Sequence, residues 1–302
     1  MFNLERFKEI FGHNLYITNG YNFRKEQIIR RLISRNIIKN MILEITRIKC
    51  QFYDLPTGFE GCRILHISDL HNCNYGEGQK NLIKLTEQLQ PDYIFMTGDI
   101  CDEYHRRLDS VKEYLKGICR VAPIYYVTGN HEWIRKDRGE DLFAYMKSLG
   151  IHILHDQMIQ LERNGDCIQL IGTDDPYRPR SGKIHERDRV RAEFFLKDLA
   201  LLCKERKRKF TILLSHRPEF IHFYAKAQIQ LVFAGHAHGG LVRIPGIGGI
   251  IAPHQGLFPK YTEGVVEERN TKMVISRGMG NSGVFFRINN RPEVVVVVLN
   301  RL

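Results

Sequence analysis

The chain is 302 residues long, 43% hydrophobic and 26% charged, with 45 Lys+Arg against 34 Asp+Glu. That length can bury a full core, and that balance excludes an intrinsically disordered or fibrous chain. No stretch reaches the roughly 20 apolar residues of a membrane span; the nearest, 37–48, is interrupted by Lys39, Asn40, Glu44 and Arg47.

The excess charge is uneven. Residues 1–50 hold ten Lys/Arg and four Glu and read as a basic N-terminal extension, followed by one domain over 51–302. Within the extension, 23–38 places Ile28, Ile29, Leu32, Ile33 and Ile37 at helical spacing among Arg24, Lys25, Arg30, Arg31 and Arg35. Such a helix either packs on the domain with its basic face in water or lies on an anionic membrane surface. No signal peptide is visible. The seven cysteines are scattered singly with no CxxC pair, which fits reduced thiols. The expected location is cytoplasmic, peripheral on the inner face of the membrane where the arm meets lipid.

Residues 42–53 alternate as a strand does. A repeating rhythm starts at 62: "CRILHISDLH", a helical stretch over 79–90, "DYIFMTGDI", a helical stretch over about 104–119, "PIYYVTGNHE", and a helix near 139–149. Strands follow at 151–154, 157–162 and 167–172, then a long charged helix over 185–208 whose "KERKRK" suits a helix C-terminus. "FTILLSHRP" and "QLVFAGHAHGG" are further apolar runs, and "KMVISRGMG" and "PEVVVVVLN" are the last strands. Strands alternating with helices predict an α/β protein whose buried strands read as continuous apolar runs.

Five of these runs end in metal-ligand chemistry. The tips are Asp69 and His71, then Asp99, then Asn130 with His131, then His216, then His236 and His238. Sites in open α/β sheets form beyond the carboxyl ends of strands, so these tips can converge although they are far apart in sequence. Two Asp, one Asn and four His are too many for one four-coordinate zinc. They suit two ions sharing a bridging carboxylate, and the imidazole–oxygen mixture points to transition metals such as Mn, Fe or Zn. Residues at i and i+2 of extended chain point the same way, so Asp69 with His71, and His236 with His238, can face one centre.

In order, "DLH", "GD", "GNHE", "SH" and "GHAH" resemble the calcineurin-like metallophosphoesterases, whose pattern is D-x-H, GD, GNH[DE], H and GHxH. The resemblance covers 62–302. It implies a four-layer α/β/β/α sandwich of two mixed sheets. It implies one metal held by Asp69, His71, bridging Asp99 and His238, and the other by Asp99, Asn130, His216 and His236, with His131 as general acid or transition-state stabiliser. "GHAHGG", "GLFPKYTEG" and "SRGMGNSG" further resemble a branch of small bacterial phosphodiesterases that includes a UDP-2,3-diacylglucosamine pyrophosphatase type. That branch often carries Gln where this chain has Leu241.

The expected activity is therefore hydrolysis of a phosphodiester or pyrophosphate bond by a metal-bridging hydroxide, with His131 donating a proton to the leaving oxygen. The substrate classes are phosphodiesters and nucleotide diphosphates, small or lipid-linked. Arg217, Arg277 and Arg287 are candidates for gripping phosphate oxygens. Asp174 and Asp175 read as a turn before Pro176, His66 as a core histidine, His254 as a candidate for the cleft wall, and Cys73 as a flank of the metals rather than a ligand. The alternatives are a non-catalytic metal-binding scaffold on the same fold, or a nuclease. No basic run interleaved with aromatics marks specific nucleic-acid binding, and "HAHGGL" lacks the Asp-His of a metallo-β-lactamase motif.

Overall fold

In the computed structural model, residues 42–103, 107–134, 136–179, 188–204, 209–281 and 287–302 are described. The helix expected at 23–38, with the rest of the extension up to residue 41, lies outside these residues. Residues 40–302 form one compact unit.

The chain enters through β1 (Glu44–Phe52), ahead of the domain boundary expected at residue 51. Then β2 (Arg63–Ile67), α1 (Lys80–Leu89), β3 (Tyr93–Thr97), α2 (Asp109–Ile118) and β4 (Ile124–Val127) alternate as the sequence predicts. A short helix, α3 (Asn130–Ile134), precedes α4 (Lys136–Ser148) and β5 (His152–Ile153). A second sheet begins with β6 (Gln157–Arg163) and β7 (Asp166–Gly172) and continues after α5 (Asp188–Lys204) with β8 (Thr211–Leu214), α6 (Ile221–Lys226) and β9 (Leu231–Ala234). Two small hairpins follow, β10 (Arg243–Ile244) with β11 (Gly248–Gly249) and β12 (Ile251–Ala252) with β13 (Gly256–Leu257). Then β14 (Gly264–Glu268) and β15 (Thr271–Ile275) extend the second sheet, and β16 (Glu293–Arg301) returns to the first.

Both sheets have six strands, in the orders β1-β16-β2-β3-β4-β5 and β14-β15-β9-β8-β7-β6. Both are mixed: β2, β3, β4 and β5 run parallel with β16 antiparallel to β2, while β7, β8, β9 and β15 run parallel with β6 and β14 antiparallel at the edges.

Period-two alternation sets the layers. In β2, Ile64 and His66 face the other sheet, while Leu65 and Ile67 face helices. Ile64, Phe95, Val127, Val295 and Val297 meet Leu170, Ile212, Leu214, Phe233 and Val274 between the sheets, with Phe95 and Phe233 edge to face at 5.2 Å. Outside the first sheet, Leu65, Ile67 and Met96 pack on Leu82, Val111, Leu115 and Leu142 of the helices. Outside the second, Leu213, Val232 and Met273 pack on Phe195, Leu199, Ile221 and Tyr224. The result is the α/β/β/α sandwich. Being covered on both faces explains why β16 is a near-unbroken run of valine. His66 is a core histidine as expected: it is buried, its Nε2 is 2.8 Å from Thr97 Oγ1, and burial lowers its pKa to about 3.

Candidate metal centre

The parallel strands β2, β3, β4, β8 and β9 all end at one edge of the sandwich, and the five tips meet there. Asp69, His71, Asp99, His216, His236 and His238 are each at most 3% exposed, and Asn130 is 8% exposed. The loops are strapped together by backbone: Asp69 N–H donates to Gly98 O at 3.0 Å, His71 N–H to Asp99 O at 3.1 Å, and His236 N–H to Asp69 Oδ2 at 3.1 Å.

The local geometry differs from the extended tips read from sequence. Asp69, His71, Asp99, His236 and His238 all have φ between 45° and 66°, the left-handed region that non-glycine residues avoid. These three tips curl back sharply on leaving their strands, which turns both side chains of the D-x-H and HxH pairs inward. Such strain persists only where surrounding contacts over-determine it, and it concentrates at functional sites. Gly235 has a steric role beside it: a Cβ there would collide with Ser68 Oγ and Asp69 Oδ2.

The donor atoms form two overlapping sets. In one, His71 Nε2 and His238 Nε2 face each other at 3.3 Å, with Asp69 Oδ1 at 3.8 and 3.4 Å from them. In the other, His216 Nε2 and His236 Nδ1 face each other at 3.1 Å. Asp99 Oδ2 belongs to both, 3.9 Å from His71 Nε2 and 3.2 Å from His216 Nε2. Two nitrogen ligands bound at about 2.1 Å to one ion stand about 3.0–3.4 Å apart at angles near 90–110°, so these spacings fit divalent metal. Asp69 Oδ1 and Asn130 Oδ1 are buried without a hydrogen-bond partner, the condition of atoms meant for a ligand. The residues present therefore fit the metals that the sequence implies.

Protonation follows from the surroundings. Burial pushes His238 down to about 3 and His236 well below the ordinary range, the latter with help from the Arg217 guanidinium, so both rings are neutral as ligation requires. Burial disfavours charge on His216 too, yet the Asp99 carboxylate outweighs it and raises the ring to about 10. Its Nδ1 donates to Thr97 O at 2.6 Å, which aims Nε2 at Asp99. Burial also opposes the charge of Asp69, but His238 and His71 hold it below the usual carboxylate range.

His131 opens α3 rather than lying on extended chain. Its N–H donates to Asp99 Oδ1 at 2.9 Å, and its Nε2 is 3.9 Å from Asp99 Oδ2. Its Nδ1 accepts the Glu103 N–H at 3.2 Å, which leaves the proton of the neutral ring on Nε2. A cavity of about 380 Å³ opens above, with Asp99, Asn130, His131, His236 and His238 at its base.

None of the three arginines expected to grip phosphate lines this cavity. Arg217 is buried behind His236: Asp175 takes its Nε and NH2 at 2.5 and 3.1 Å, and its NH1 is 2.9 Å from His236 Nε2. Arg277 is turned toward carboxylates, with NH2 2.7 Å from Glu293 and 3.1 Å from Glu44. Arg287 lies against Asn281, the Gly280 carbonyl and, at 3.4 Å, His238 Nδ1. Each is held by stronger local acceptors or packed behind a ligand, so its placement is that of a brace. Asp175 does shape the turn, accepting the Tyr177 N–H at 2.8 Å, but it also anchors Arg217. Asp174 pairs with His155 and Arg178, 3.0 and 2.8 Å away. Cys73 is half-buried and outside the ligand clusters.

His254 does line the cavity, with its Nδ1 2.8 Å from Arg217 NH1 and 2.9 Å from His236 Nε2. Glu132 is the residue that sequence reasoning passed over. Fully buried, it accepts N–H bonds from Asp99 and Gly129 on Oε2 (3.0 and 2.8 Å) and from Ile100 and Cys101 on Oε1 (3.0 and 3.3 Å). The signal was the E of "GNHE", one position past His131.

Comparison with known proteins agrees with this geometry. The chain is 29% identical over 258 residues to YkuE of Bacillus subtilis strain 168, named an uncharacterized metallophosphoesterase, covering 81% of each chain. It is 25% identical over 235 residues to YkoQ of the same strain, named likewise, covering 76% of this chain and 81% of that one. It is 24% identical over 241 residues to the phosphodiesterase YaeI of Escherichia coli K12, covering 78% and 82%. The family model described as calcineurin-like phosphoesterase matches residues 62–240, the span that holds every one of the converging tips, and the chain belongs to that family.

Proposed function

We propose that this protein is a phosphodiesterase or pyrophosphatase that works with two divalent transition-metal ions, of the Mn, Fe or Zn type. The observation that carries the reading is the position of Asp99, whose one carboxylate oxygen stands within 3.9 Å of imidazole nitrogens from both donor sets. Asp69, His71, Asp99 and His238 would hold one ion, and Asp99, Asn130, His216 and His236 the other. When bound, such a pair supplies Lewis-acid polarisation of phosphoryl oxygens and acidifies water to a nucleophile.

The protein's own residues do the rest. His131 presents Nε2–H at the base of the cavity, where it would donate a hydrogen bond to the charge that develops on the departing oxygen in the transition state. Its Nδ1 bond to the Glu103 N–H fixes the tautomer. Glu132 fixes the loop that carries Asp99, and the Asp175–Arg217 pair backs His236. The cavity is about 380 Å³, within the usual range for a small ligand. The name of YaeI, a phosphodiesterase, supports the diester reading. The substrate would be a phosphodiester or a nucleotide diphosphate, small or lipid-linked, met in the cytoplasm or at the inner face of the membrane. Among the described residues, no helix is long and apolar enough to cross a membrane.

The test is turnover by purified, manganese-loaded protein of bis-p-nitrophenyl phosphate against p-nitrophenyl phosphate. The expected result is faster cleavage of the diester, loss of activity on chelation and its return with metal. Faster cleavage of the monoester would make the protein a phosphatase. Loaded protein inert toward both would make it a scaffold.

A further inference from the structure

The two small hairpins beside the metal centre have inverted polarity. Residues 241–258, "LVRIPGIGGIIAPHQGLF", contain three polar side chains: Arg243, His254 and Gln255. All three bind the body of the domain. Arg243 reaches the Gly239 carbonyl at 2.9 Å and pairs with Glu263. His254 meets Arg217 at 2.8 Å, and Gln255 exchanges hydrogen bonds of 2.8 and 3.0 Å with the backbone of Tyr261. Leu241 and Ala252 are buried, but five of the apolar side chains face outward. Ile247, Leu257 and Phe258 are 62%, 69% and 67% exposed, and Ile244 and Ile251 are exposed beside them. Ile251 and Leu257 are cross-strand partners, so they stand side by side, and Ile251 also lines the cavity. The apolar surface is thus continuous with the wall of the site. A water-facing hairpin has the opposite arrangement, and contiguous exposed apolar surface marks an interaction site.

Charge indicates what covers it. Residues 1–50 hold ten Lys/Arg and four Glu, and this segment joins the first sheet through β1. The first residue of β1, Glu44, bonds Arg277 at 3.1 Å; Arg277 pairs with Glu263 at 3.5 Å, and Glu263 pairs with Arg243 of the first hairpin. The first strand therefore begins near the base of the apolar ribbon, and eight of those ten Lys/Arg precede it in the sequence. Lys260 is exposed two residues past Phe258. Apolar side chains bordered by positive charge fit the boundary between acyl chains and anionic headgroups.

We propose that the ribbon 241–258 docks on an anionic lipid bilayer and seats the mouth of the cavity at the headgroup layer. The docking stands apart from the phosphodiesterase reading and does not depend on it.

The test is co-sedimentation of the full chain with phosphatidylcholine vesicles, with and without phosphatidylglycerol. The variants are the double substitution Leu257→Ser, Phe258→Ser and, as control, Tyr53→Ser at the other end of β1. Neither Leu257 nor Phe258 lines the cavity or touches the ligand set, so turnover of bis-p-nitrophenyl phosphate should be unchanged. The wild type and the Tyr53 control should sediment with the anionic vesicles, and the double variant should bind at least roughly tenfold more weakly. Equal sedimentation of the double variant would overturn the proposal, as would a wild type that stays in the supernatant. So would a wild-type dimer, by light scattering, that the double variant converts to monomer, because a second copy would then cover the ribbon. A wild type that binds vesicles but cleaves no phosphate ester would leave the docking supported and sink only the phosphodiesterase reading.

Discussion

Glu132 holds Asp99 from behind: its Oε2 accepts the Asp99 N–H at 3.0 Å while the Asp99 side chain faces the histidines in front. With the three further N–H groups it accepts, this carboxylate stabilises a loop whose left-handed Asp99 would otherwise relax. Glu132→Gln replaces one acceptor oxygen by an NH2 group facing backbone donors. A buried donor left unsatisfied costs about 1–3 kcal/mol. The variant should melt at a lower temperature and bind metal more weakly, as followed by thermal denaturation and metal analysis. Wild-type stability and metal content would show that the bracing is dispensable.

Metal content should separate the shared ligand from the others. The purified protein should hold about two divalent ions, by the logic of paired-metal hydrolases. Asp99→Asn should lower the content more than His238→Asn, because Asp99 Oδ2 is near both donor sets and His238 belongs to one. Elemental analysis after dialysis measures this; equal losses in the two variants would remove the bridging role.

His131→Ala should keep the metal and lose turnover. A hydrogen-bond donor aimed at charge that develops in the transition state contributes roughly a hundred- to thousandfold in rate. The loss should be small for diesters with a p-nitrophenolate leaving group, which carries its charge unaided, and large for alkoxide leaving groups. A uniform loss across leaving groups, or loss of an ion, would place His131 in the metal shell instead.

The metal-free protein should become less stable as pH rises. His216 is raised from 6.5 to about 10 against the cost of its burial, chiefly by Asp99. Its charged form therefore stabilises the fold fully below about pH 6.5, and that contribution is lost as pH rises through about 10. Melting curves of chelated protein between these limits should slope downward, more steeply than those of His216→Asn. Adding metal at pH 8 should release protons, since a ligating imidazole must be neutral; loading without proton release would contradict the assigned state of His216.

The sequence by itself determined the α/β class and the residue types gathered at the strand ends, and the four-layer architecture followed from the family resemblance. Short unbroken apolar runs such as "YIFMT" and "VVVVV", β-branched or aromatic and bounded by turn residues, read as strands covered on both faces, and helical spacing between them sets the alternation. The spacing of Asp69, His71, Asp99, Asn130, His216, His236 and His238 at strand ends was legible because each position is local to its own strand. What the tertiary structure decided is everything that depends on neighbours remote in the chain. The left-handed turn at the Asp69, Asp99 and His236 tips is held by straps such as Asp69 N–H to Gly98 O, and no residue type announces it. Arg217, Arg277 and Arg287 look alike in sequence as candidate phosphate grips. Their roles are set by which carboxylate or carbonyl reaches each one first, and Asp175 and Arg217 are 42 residues apart. Glu132 carries no metal-ligand signature, because its partners are backbone N–H groups that every sequence possesses. The outward face of 241–258 is likewise invisible in composition: apolar residues normally turn inward, and only the positions of Arg243, His254 and Gln255 against the body turn them out.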